Sequence, residues 1–157
     1  MTLTQHPGAL MDDDEYPSCH TTYATLCIYP GDVDPAAITD RLGIEPSNWQ
    51  RRGEVTQRPG RAPKVAPLDG WFLMSKGQVE SRDSRRHIDW LLARLESRAE
   101  AVRSLREVGC RLEIACYWLA RRSNGGPTLP ALQMKRLAEF DIELWFDFYG
   151  PVDEDDA

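Results

Sequence analysis

Apolar and polar residues alternate along three stretches of this chain, and a fourth is apolar throughout. In residues 23–29 (YATLCIY), Ala24, Leu26 and Ile28 fall on one side, and Thr25, Cys27 and Tyr29 on the other. A period of two marks a strand with one buried face. Residues 111–118 (RLEIACYW) bury Leu112 and Ile114 on the same logic and turn Glu113 and Tyr117 outward. Residues 142–149 give the clearest alternation: Ile142, Leu144, Phe146 and Phe148 face one way, and Glu143, Trp145, Asp147 and Tyr149 the other. Trp71-Phe72-Leu73-Met74 is apolar without a break, as in a strand buried on both sides. These patterns predict strands over 22–29, 70–76, 111–120 and 142–149, and a short edge strand near Gly53-Glu54-Val55-Thr56.

Three helices are predicted between them. Asp34-Pro35 supplies an N-cap and a first-turn proline, Ile38 and Leu42 an apolar face, and Gly43 a stop. From 83 to 108, Ile88, Leu91, Leu92, Leu95, Ala99, Val102 and Leu105 recur at three- and four-residue steps, and Gly109 closes the run. Read as one helix it makes a rod of roughly 38 Å. Leu129-Pro130-Ala131 opens a third helix over 130–139, its apolar side assigned to Leu132, Met134, Leu137 and Phe140.

Strand, loop, short helix and strand occur in both halves, joined by the long helix. The expected class is α+β: a ferredoxin-like or duplicated split-βαβ fold, with a mainly antiparallel sheet of four or five strands and helices on one face. One domain over 22–150 is expected, preceded by a disordered arm over 1–21 and followed by an acidic tail over 151–157. Residues 45–69, punctuated by Pro46, Pro59, Gly60, Pro63 and Pro67, form a connection longer than most within a compact domain.

Charge changes the picture. The 157 residues carry 19 Lys and Arg against 25 Asp and Glu, a net of −6. Four acids and no bases lie in 1–22, and four more acids and no bases in 151–157, so the body between them is positive. Within it, Arg51, Arg52, Arg58, Arg61 and Lys64 face one acid, Glu54. Trp49 stands ready to anchor this basic segment, and the acidic ends are its nearest candidate partners. No run of about 18 apolar residues exists, so no membrane partner is expected. The N-terminus lacks the pattern of a secretory signal, which predicts a cytoplasmic protein with reduced thiols.

Candidate chemistry is sparse. Cys19 and His20, with His6 nearby, are adjacent and fit tetrahedral metal ligation poorly. Cys27 and Cys116 lie in strands that are candidates to pair. Asp83 and His87 share a helix face, but an N-cap aspartate and a packing histidine explain both. No catalytic residue, metal site or cofactor is assigned. The outward faces of the strands are more telling. Tyr29, Glu113, Tyr117, Glu143, Trp145, Asp147 and Tyr149 combine aromatics with carboxylates, which suits a partner surface and argues against nucleic acid. These residues, with Arg51, Arg52, Arg58 and Arg61, are the candidate binding set, and a homodimer is expected.

Pro30-Gly31-Asp32, the run Asp34-Pro35-x-x-Ile38-Thr39-x-x-Leu42-Gly43-Ile44-x-Pro46, Gly53-Glu54 and Gly70-Trp71-x-Leu73 occur in order. They are followed by His87-Ile88-x-x-Leu91-Leu92-x-x-Leu95 and Ile142-x-Leu144-x-Phe146-Asp147-x-Tyr149. Over about 22–150 this series resembles the bacterial domain-of-unknown-function family 4279. The resemblance implies a small bacterial cytosolic protein without an assigned activity, of a kind associated with toxin-immunity neighbourhoods. The resulting expectation is a non-enzymatic protein-binding module, immunity-like in character. The alternatives are a small-molecule-binding protein or enzyme using Asp147, Glu143 or His87 on the open face, and a homodimer with no external site.

Overall fold

The computed structural model describes residues 11–151. Residues 1–10 of the expected arm over 1–21, and 152–157 of the expected tail over 151–157, lie outside the described residues. Eleven elements follow in order: β1 (Cys19–Tyr29), α1 (Pro35–Leu42), β2 (Asn48–Gln50), β3 (Val55–Arg58), β4 (Arg61–Val65), β5 (Gly70–Met74), α2 (Ser84–Glu96), α3 (Ala99–Glu107), β6 (Arg111–Ala120), α4 (Ala131–Glu139) and β7 (Glu143–Tyr149). Five strands form one mixed sheet in the order β2-β5-β1-β6-β7, and β3 and β4 form a separate hairpin. The β2–β5, β5–β1 and β1–β6 junctions are antiparallel, and β6–β7 is parallel.

This connectivity interleaves two split units. β1 and β2 run parallel with β5 between them, and β5 and β6 run parallel with β1 between them. The unit β6–α4–β7 encloses no strand, so the likeness read between the two halves of the sequence does not extend to an inserted strand in the second.

One face of the sheet carries the core. Ala24, Leu26, Ile28, Trp71, Leu73, Leu112, Ile114 and Cys116 pack with Ile38 and Leu42 of α1, Ile88, Leu91, Leu92 and Leu95 of α2, Val102 and Leu105 of α3, and Leu137 of α4. All four helices therefore lie on this side.

Local chemistry sets the helix ends. Asp34 accepts a hydrogen bond from the Ala36 amide (2.9 Å), and Gly43, at φ 65°, closes α1 with its own amide on the Thr39 carbonyl. Only a residue without a Cβ adopts that conformation freely. The single rod expected over 83–108 is instead two helices. Arg98 leaves helical geometry (φ −124°, ψ 24°), and its guanidinium binds the carbonyls of Leu42 and Arg94. The turn lets α3 fold onto α1. The apolar spacing survives the break because each short helix keeps its own stripe.

Four further differences follow from packing. The strand begins at Cys19, and residues 11–18 are not a detached arm: Tyr16 is 3% exposed, edge-on to Trp118 (5.5 Å), and covers a second small core with Cys19. In α4, Gln133 and Leu137 face inward, while Leu132 and Met134 are exposed. Phe148 lies on the helix side of β7 but is exposed, because the helices do not reach it. In β5, Phe72 and Met74 are only partly covered, so that strand is not buried on both sides.

Candidate functional site

Because side chains alternate along a strand, the register fixes what stands on the helix-free face. Thr25 lies opposite Met74 and Ala115, and Ala115 opposite Trp145. Cys27 lies opposite Phe72 and Glu113, and Glu113 opposite Glu143. Tyr23 lies opposite Tyr117, and Tyr117 opposite Asp147. Tyr29, Glu113, Tyr117, Glu143, Trp145, Asp147 and Tyr149 thus share one surface. Trp145 and Tyr149 are about half exposed.

Two clusters organise it. Glu113, almost buried, gathers three donors: the Tyr29 hydroxyl (3.1 Å) and the Trp145 indole N–H (3.2 Å) on one oxygen, and Arg111 (2.7 Å) on the other. Arg111 also lies over the Tyr29 ring. Burial, reinforced by the neighbouring acidic groups, pushes the Tyr29 hydroxyl well above its ordinary pKa, so it stays a donor. The second cluster is a ladder of rings. Tyr23 stacks on Tyr117 (4.9 Å), which leans on Tyr149 (5.0 Å), and Tyr149 donates to Asp147 (3.0 Å). Tyr23, Phe72, Met74 and Arg111 belong to this surface although they were not singled out in the sequence. Tyr23 was legible there, two residues before Thr25.

Cys27 faces this surface and Cys116 the core. Their strands do pair, but the register sets Cys27 against Glu113 and Cys116 against Ala24, on opposite sides of the sheet. All four cysteines are free and buried, and burial raises the Cys27 and Cys116 thiols to about 11. Cys19 is buried while His20 is exposed, so the two do not converge on one ion.

His87 sits apart, in α2 on the helix side. Its Nε2 donates to the Ser81 carbonyl (2.9 Å), which fixes Nδ1 as the acceptor for the Ser75 hydroxyl (2.7 Å). Ser75 in turn accepts the Ala24 amide (2.9 Å). Burial holds the His87 pKa below its ordinary value, against the opposing pull of the Ser81 bond and nearby acids. Asp83 caps α2 and forms a buried ion pair with Arg85 (2.6 Å) instead of bonding His87.

The basic segment is built from β2 and the β3–β4 hairpin. Trp49 packs against the core from β2, and Arg51 lies over its ring (4.7 Å) while its guanidinium binds Asp34 (3.0 Å) and reaches Glu54 (3.9 Å). The Arg52 amide donates to Asp69. Arg58 and Arg61 face each other at the tip of the β3–β4 hairpin, around Pro59-Gly60. The acids at 12–15 do not serve this segment: Asp12 and Asp14 pair with Arg86, and Glu15 with Arg82. A cleft of about 360 Å³ between the helices holds Arg106 and Arg136, both already committed to Asp141, Asp89 and Glu96.

Among the described residues the fold is α+β, with one face of the sheet covered by helices and the other aromatic and uncovered. The chain belongs to the family described as "Domain of unknown function (DUF4279)", whose model matches residues 20–151. No curated protein and no solved structure matches it.

Proposed function

We propose that this protein is a non-enzymatic protein-binding module whose docking surface is the uncovered sheet face. One observation carries the reading: six aromatic side chains, Tyr23, Tyr29, Phe72, Tyr117, Trp145 and Tyr149, share that face with Glu113, Glu143 and Asp147, and no helix among the described residues packs over them. Aromatic rings supply large contact area at little entropic cost, and their polar tips tolerate water in the free state. The carboxylates disfavour phosphate backbones and favour a partner with cationic groups. Acid–base catalysis is less well supported, because His87 lies on the other side of the sheet from Glu143 and Asp147. We read the interleaved strands as a ferredoxin-like sheet extended by α4–β7, working in a bacterial cytoplasm where four reduced thiols persist.

The test is a displayed random-peptide library panned on the wild type and counter-selected on a Tyr117→Asp, Trp145→Asp, Tyr149→Asp variant whose thermal melt shows it folded. The reading predicts peptides that lose about tenfold or more in affinity for the variant. Recovery of equal binders by both forms would overturn it.

A further inference from the structure

We propose that the occupant of this face is the β3–β4 hairpin of a second copy, so that two chains exchange hairpins in a reciprocal dimer. The inference rests on the face being a protein-docking surface and names its partner.

Among the described residues, nothing covers the hairpin. Every residue from 51 to 65 is exposed. A two-stranded hairpin with nothing packed on it is marginal in water. Val55 and Val65 pair across the strands and remain 57% and 58% exposed. At the tip, Arg58 stands opposite Arg61, and like charges opposed on a ladder destabilise it. Neither has an acidic partner among the described residues, and Lys64 has none either.

The face offers what the tip lacks. Along β7, Glu143, Trp145 and Asp147 point the same way at successive outward positions. The Trp145 indole is fixed by its bond to Glu113, whose other oxygen is taken by Arg111. Glu143 has no cationic partner among the described residues, and Asp147 holds only the Tyr149 hydroxyl. An indole flanked by two uncompensated carboxylates is a seat for a guanidinium, which stacks on the ring and donates to the acids.

The chain already builds this arrangement once. Arg51 lies over Trp49 with Asp34 and Glu54 as its acids. The set at β7 has the same indole and two carboxylates and lacks only the arginine. Each copy carries one hairpin and one seat, so a two-fold axis satisfies both at once and closes the assembly.

Size-exclusion chromatography with light scattering tests this on the full chain. The wild type should run as a dimer that weakens with added salt. Arg58→Glu with Arg61→Glu, and separately Glu143→Lys with Asp147→Lys, should each yield a folded monomer. Mixed in equal amounts, the two variants should form a heterodimer, because one interface keeps its native charges and the other has both reversed. A wild-type monomer at high micromolar concentration, an open-ended series of larger species, a hairpin variant that remains dimeric, or a mixture that stays monomeric would each overturn the proposal. A monomer would leave the face free for a different protein, which the peptide selection reads independently.

Discussion

A buried imidazole resists protonation because no solvent compensates its charge and its acceptor nitrogen is already used. His87 is in that position, with Ser75 donating to Nδ1 and Nε2 donating to Ser81. Its folded-state pKa is lowered, so the unfolded chain binds the proton more readily. The sign follows: stability is complete above the unfolded value of about 6.5 and is lost as pH falls below it towards the folded value. The melting temperature should begin to drop near that pH, and His87→Gln should flatten this first step while leaving the later loss from carboxylates such as Asp34. A wild-type profile level down to the carboxylate range would contradict the arrangement. The sequence showed Asp83 and His87 on one helix face but not that their partners differ. Arg85 takes the carboxylate, and Ser75, distant on the strand side, takes the ring.

At the scale of elements, period and caps were sound guides where the inside of the protein is apolar. All four expected strands exist, and α1 begins and ends on the residues that its cap chemistry required. The guides failed where the interior is polar or the chain turns without losing its stripe. In α4 an inward position belongs to Gln133, whose amide donates to the Arg85 carbonyl (3.1 Å) and to Asp89 (3.0 Å), so counting apolar residues was right for Leu137 and Phe140 and wrong for Leu132 and Met134. Between α2 and α3, Leu95, Ala99 and Val102 keep helical spacing across a break made by Arg98, which no apolar count registers. A paired substitution checks these assignments. Leu91→Ala should cost about 2–5 kcal/mol by opening a cavity in the core. Leu132→Ala, on the exposed side of α4, should stay within about 0.5 kcal/mol. Denaturant titration of both variants reads the difference, and equal losses would show that the α4 phase is wrong.

Across the described residues, acids and bases are unevenly placed. Asp12 and Asp14 lie on Arg86 of α2 and Glu15 on Arg82 just before it, so these acids do not serve the basic hairpin. The uncovered face was legible in the sequence because β1, β6 and β7 alternate cleanly. Its extension to Phe72 and Met74 was not, because an unbroken apolar run hides which side is covered. What the face does depends on its being free until a partner arrives. Oxidative footprinting with mass spectrometry tests that directly, on protein diluted well below its self-association range and then with a face-selected peptide added. The account predicts that Trp145 and Tyr149 are modified ahead of Trp71 and Trp118 in the free protein, and that the peptide protects Tyr117, Trp145 and Tyr149. Trp145 shielded at every dilution, or protection falling instead on the helix side around Leu132 and Met134, would contradict it.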